Sequence, residues 1–119
     1  MTQPVILVAE DEAIVAHDLC DTVEEAGFTV KGPFGDAAGA MEAFRESKPD
    51  LAILDVNLAG GTAYSLAEQM IEQDVPVIFH SGAVSTDEMQ AKFPGAATLA
   101  KPCPPNVIIE TVQQALGDG

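Results

Sequence analysis

Short runs that are apolar at nearly every position alternate along the chain with longer stretches in which apolar residues recur every three or four positions. Pro4 precedes the first run, VILVA. Val15, Leu19, Thr22, Val23 and Ala26 then repeat at helical spacing up to Gly27, a residue that ends helices. Phe28 to Lys31 predicts a short second strand closed by Gly32 and Pro33. An Ala-rich helix is expected over 37–47, with Met41 and Phe44 on its inner stripe and Pro49 ending it. Leu51 to Leu54 forms the third strand. The third helix is predicted over 62–73, with Ala63, Leu66, Ala67, Met70 and Ile71 facing inward. VPVIF, at 75–79, gives the fourth strand and AATLA, at 96–100, a weaker fifth. Pro104 and Pro105 suit a helix N-terminus, and Ile108, Val112, Ala115 and Leu116 line the last helical face.

Helix four is the least regular element. Ser85 and Glu88 have capping-box spacing, but Phe93, Pro94 and Gly95 stop the helix after about two turns, so it is expected to be short or irregular. Strands alternating with helices specify parallel βαβ units, and strands apolar at every position suit a sheet covered on both faces. The pattern therefore predicts an α/β domain, (βα)5, with a doubly wound parallel sheet of five strands. No repeat, linker or low-complexity segment interrupts it. One domain is expected to fill residues 1–119.

Composition narrows the function. Five Lys and Arg against nineteen Asp and Glu give a net charge of −14, which repels nucleic acid. No run approaches the roughly 20 apolar residues that cross a bilayer. The start, MTQPVILVAEDE, lacks the basic stretch of a signal peptide. These features predict a soluble cytoplasmic protein with neither nucleic-acid nor membrane partners. Cys20 and Cys103 fit no metal or redox spacing and are expected to pack.

Candidate chemistry gathers at the strand ends, where open α/β sheets bind ligands. The first strand ends in Glu10, Asp11 and Glu12, the third in Asp55, the fourth in His80 and Ser81, and the fifth in Lys101 and Pro102. Adjacent carboxylates repel unless a cation joins them, and a hard divalent ion, Mg²⁺ or Mn²⁺ in its place, suits oxygen donors. A carboxylate can accept a phosphoryl group. Lys101 and Ser81 would then serve two of its oxygens and the cation a third.

In these motifs, ILVAEDE, LAILDVN, VIFHSG and LAKP in that order, the chain resembles the receiver domains of two-component response regulators over its whole length. The resemblance implies a flavodoxin-like sheet of order 2-1-3-4-5. It implies Asp55 as phosphoacceptor, Asp11 as a metal-binding acid, Glu10 in the same metal shell through water, and the backbone carbonyl of Asn57 as a further ligand. Ser81 becomes the switch hydroxyl, Lys101 the phosphoryl-binding lysine, and Lys101 to Pro102 a candidate cis peptide bond. The partners implied are a sensor histidine kinase or a histidine phosphotransfer protein, and a downstream protein. Such a chain catalyses its own phosphorylation and dephosphorylation without being an enzyme on a separate substrate, and no output domain is expected within residues 1–119, unless these are a fragment excised from a longer protein. One position departs from the family: Thr98 stands where an aromatic switch residue is usual. A short polar switch, or an order change over 85–95, is the expected replacement.

Some residues are read more plainly. Glu12 is taken as an acid opening helix one, His80 as a packed or partly exposed histidine pointing away from Ser81, His17 as solvent-facing, and Tyr64 as packing. Helix one carries a strongly negative outer face, suited to a basic kinase surface. Two rival functions are an interaction module that keeps the fold and signals without phosphorylation, and an Asp-nucleophile phosphohydrolase of the haloacid dehalogenase group. Intact Asp55, Asp11, Ser81 and Lys101 weigh against the first. Against the second, the acid lies on the third strand and not the first.

Overall fold

A computed structural model describes residues 3–82 and 86–117. Five parallel strands, β1 (Val5–Ala9), β2 (Thr29–Phe34), β3 (Leu51–Leu54), β6 (Val77–Ser81) and β7 (Ala97–Ala100), form one sheet in the order β2-β1-β3-β6-β7. Counting only these five, this is the 2-1-3-4-5 order of a doubly wound sheet. The two remaining strands, β4 (Asn57–Leu58) and β5 (Gly61–Thr62), pair antiparallel as a small hairpin directly after the third sheet strand. Five helices complete the chain: α1 (Ala13–Glu25), α2 (Ala37–Glu46), α3 (Tyr64–Glu72), α4 (Thr86–Lys92) and α5 (Pro105–Ala115).

The strands are apolar throughout because both faces are covered. Alternate residues point to opposite faces of a strand. Ile6, Val8, Leu51, Ile53, Ile78 and Leu99 pack under α1 and α5 with Leu19, Val23, Ile108 and Val112. Leu7, Ala9, Ala52, Leu54 and Phe79 face α2, α3 and α4, meeting Phe44, Leu66, Met70, Met89 and Phe93. At roughly 25 cal/mol per Å² of apolar surface, these two cores supply the main drive to fold.

Several boundaries depart from the sequence pattern. β2 continues through Gly32 and Pro33 to Phe34. It is an edge strand, where a residue without an N–H costs no ladder bond. The register against β1 shifts there, and a Cβ on Gly32 (φ +118°) would lie 2.7 Å from the Val8 carbonyl oxygen, so only glycine fits. Helix three starts at Tyr64 and not Thr62, because Gly61 and Thr62 belong to the hairpin. The buried stripe of α1 is Ala16, Leu19, Cys20 and Val23, turned slightly from the expected set. The fourth sheet strand runs through His80 to Ser81, beyond Phe79. α4 is short, seven residues; Ser85 of its expected capping box lies outside the described residues.

Candidate functional site

Glu10, Asp55 and Lys101 each follow directly on the last residue of a strand, β1, β3 and β7. The cross-strand row Ala9, Leu54, Phe79 is in register, so the next row outward holds Glu10, Asp55 and His80. These residues continue the alternation of Val8, Ile53 and Ile78, the α1/α5 side of the sheet. Asp55 N–H donates to the Ala9 carbonyl at 2.9 Å, and Lys101 N–H to the Ser81 carbonyl at 3.1 Å. Ladder bonds thus fix the backbone beneath the charges.

Lys101 is the hub. Its Nζ donates to Asp55 Oδ2 at 3.1 Å and lies 2.8 Å from Glu10 Oε1. The second contact is a salt bridge. Glu12 Oε1, on a largely exposed side chain, comes within 3.4 Å of the same nitrogen. Burial pushes the lysine down, but the Glu10 and Asp55 carboxylates outweigh it and hold Lys101 above its ordinary value. Glu10 is only 3% exposed. Burial raises its pKa and Asp55 adds to that, against the opposing pull of Lys101 and of the Glu12 N–H, which donates to Glu10 Oε2 at 3.2 Å.

Asp11 is exposed. One carboxylate oxygen from each of Glu10, Asp11 and Asp55 lies within 4.8 Å of the others. Hard oxygen donors with an excess of negative charge suit a divalent cation such as Mg²⁺, so these residues fit the metal that the sequence implies. Asn57 donates its backbone N–H to Asp55 Oδ1 at 3.3 Å. Its side chain is exposed. An open depression of about 350 Å³ is lined by Asp11, Glu12, Asp55, Asn57, Ser81, Gly82 and Lys101.

The hairpin shapes one wall of this depression. Gly60 and Gly61 turn it with φ of +87° and +147°, values that L side chains rarely adopt. Ala59 N–H reaches the Gly35 carbonyl at 3.1 Å, tying the loop after Asp55 to the start of α2. Ser81 is buried at the end of β6. The Lys101–Pro102 bond is cis. Thr98 sits half-buried on β7, in register with Phe79 and not at the site's charged row.

Two neighbours, Glu12 and His80, do more at the site than their plain readings from the sequence expected. Glu12 joins the lysine's acid shell as well as opening α1. His80 is packed, as its position on the strand predicts, but its Nδ1 faces Glu10 Oε1 at 3.9 Å. The available signal was strand parity, which puts residues two after Val8 and two after Ile78 on one face. Burial first, and Lys101 second, hold His80 below its ordinary pKa.

Comparison with known proteins gives a consistent answer. The family model described as "Response regulator receiver domain" matches residues 6–113. The chain is 31% identical over 114 residues to the transcriptional regulatory protein PdtaR of Mycobacterium tuberculosis, covering 93% of this chain and 56% of that protein. It is 31% identical over 109 residues to CseB of Streptomyces avermitilis, covering 81% and 46%. The chain therefore spans about half the length of these curated relatives. Among solved structures, a response regulator receiver protein from Sinorhizobium medicae superposes with a TM-score of 0.88 at 26% identity, covering 98% of this chain and 96% of that one.

Proposed function

The chain belongs to the response regulator receiver domain family, and from that premise we propose that Asp55 accepts a phosphoryl group from a phosphohistidine on a sensor histidine kinase or a histidine phosphotransfer protein. The observation that carries this is the position of Lys101 Nζ, 3.1 Å from Asp55 Oδ2, beside a cluster of acids open to solvent on the Asp11 side.

The chemistry follows from charge and position. Asp55 is mounted on a rigid strand end with one oxygen held by the Asn57 N–H and the other by Lys101. Its carboxylate oxygen attacks phosphorus, the phosphorus–nitrogen bond of the donor breaks, and the imidazole leaves with the electron pair. Glu10, Asp11, Asp55 and the Asn57 carbonyl would hold Mg²⁺ or Mn²⁺, which supplies neutralisation of the phosphoryl oxygens. Lys101 exchanges its carboxylate partners for a phosphoryl oxygen, and the Ser81 hydroxyl donates to another. The depression admits the donor because polar side chains and Gly82 border it. The chain acts on no substrate but itself, both in accepting the phosphoryl group and in the hydrolysis that later clears Asp55.

Aspartyl phosphate then shifts a two-state equilibrium that alters affinity for a downstream protein. The outer face of α1, with Asp18, Asp21, Glu24 and Glu25 exposed, favours a basic surface on the phosphodonor. The reading is tested by incubating the chain with phosphoramidate and following intact mass. One phosphate should be gained with Mg²⁺ and none after chelation, and Asp55→Asn should gain none. Equal labelling of that variant would overturn the assignment.

A further inference from the structure

Glu10 Oε1 and His80 Nδ1 are the two buried side-chain polar atoms, among the described residues, that make no hydrogen bond. They face each other at 3.9 Å, with side chains 1% and 6% exposed. An unpaired buried polar atom costs about 1–3 kcal/mol, and His80 Nδ1, aimed at a carboxylate oxygen that Lys101 neutralises, calls for an explanation.

The site offers one. Glu10 Oε1 is compensated now by Lys101, 2.8 Å away, and the same nitrogen is the cation nearest Asp55. When Lys101 turns to a phosphoryl oxygen, Glu10 loses its neutralising partner in a place where water scarcely reaches it. A carboxylate stripped of its partner in such a place is strongly destabilised. His80 is held on the same side of the sheet by the parity of β6, and a neutral imidazole carries one N–H donor that can sit on either nitrogen. Its ring also borders a separate groove of about 440 Å³ between α1 and α5, lined by Asp18, Leu19, Asp21, Cys103 and Ile108 among others, so the ring is not packed on every side.

We propose that His80 is a positioning residue for Glu10, donating from Nδ1 to Oε1 when Lys101 leaves that carboxylate for the phosphoryl group on Asp55. Glu10 then keeps its orientation toward the cation through the transfer. The inference rests on the phosphoacceptor reading, but it concerns an atom pair that reading does not use. A histidine placed only to fill space would have no preference for the Nδ1 tautomer and no influence on the metal.

Two measurements test it. Imidazole nitrogen spectra of the unsubstituted chain, recorded with Mg²⁺ and beryllofluoride, should show the His80 proton on Nδ1; a proton on Nε2 would overturn the proposal. Mg²⁺ affinity in the presence of beryllofluoride, which occupies Lys101 without a phosphodonor, is read from amide shifts in titration and should weaken about 10-fold in His80→Leu, as is typical on losing a residue that orients a metal ligand. His80→Asn, which restores an N–H donor, should recover most of the loss. Unchanged affinity in a folded His80→Leu would equally overturn it. If the unsubstituted chain takes no phosphate from phosphoramidate, the phosphoacceptor reading itself fails, which separates the two outcomes.

Discussion

Lys101 joins charges that would otherwise repel, and its removal should expose that repulsion. Lys101→Met leaves Glu10, at 3% exposure, and Asp55 facing each other without compensation. Breaking a buried pair costs about 3–5 kcal/mol; with part of the lysine in solvent, a loss of about 3 kcal/mol is expected in metal-free urea unfolding. Adding Glu10→Gln should return much of it, because the uncompensated charge is then gone. Cys20 gives a second prediction at this scale. Burial first, then the charges of Glu24 and Asp21, push its thiol from 9.0 up to about 11. A pKa raised by folding contributes stability below the unfolded value that is lost as pH climbs from 9.0 toward about 11. Cys20→Ala should flatten that decline. In the native chain at pH 8, Cys20 should react with iodoacetamide roughly 100-fold more slowly than a free thiol, through its smaller thiolate fraction.

At the scale of elements, the hydrophobic pattern located every principal strand and helix, because a strand covered on both faces or a one-sided helix declares itself by its period. Local chemistry that overrides the period stayed hidden. The hairpin after Asp55 is a case: NLAGGT carries only four strand residues, too few to show alternation, and its tie to Gly35 is tertiary. The extension of β2 through Pro33 was hidden likewise, since a proline inside a run normally argues against a strand. Phe93 shows the opposite situation. Together with Pro94 and Gly95 it marked the end of helix four, and the structure packs its ring, tilted, against Phe79 at 5.0 Å and Tyr64 at 5.8 Å between centroids. Those contacts bind α4 to the strand that carries Ser81. Phe93→Ala should destabilise that region by about 3 kcal/mol, with amide exchange accelerating over α4 and β7 well before the β1 and β3 core. Uniform acceleration would show that α4 is not a separable unit.

For the whole molecule, the positions of the acids were legible at the ends of apolar strands, as was the convergence of Lys101 and Asp55 on one site. What could not be read was which acid lies buried, since Glu10 and Asp11 are adjacent in sequence and differ only in the face they take. A net charge of −14 on 119 residues means that self-repulsion opposes folding everywhere. Sodium chloride should therefore raise the melting temperature alike in the native chain and in Asp55→Asn. Mg²⁺ at about 100 times its dissociation constant adds about 2.7 kcal/mol, roughly 10 °C for a domain of this size, and Asp55→Asn should lose much of that increment while keeping the effect of sodium chloride.

The central claim is that Asp55 carries the phosphoryl group, and chemical trapping tests it most directly. The chain is incubated with acetyl phosphate and Mg²⁺, reduced with borohydride to convert an acyl phosphate to an alcohol, digested and sequenced by mass spectrometry. Homoserine at position 55, absent when Mg²⁺ is chelated, is the result predicted. Homoserine at Asp11 or another acid, or none at position 55 in folded protein with Mg²⁺ present, would contradict it.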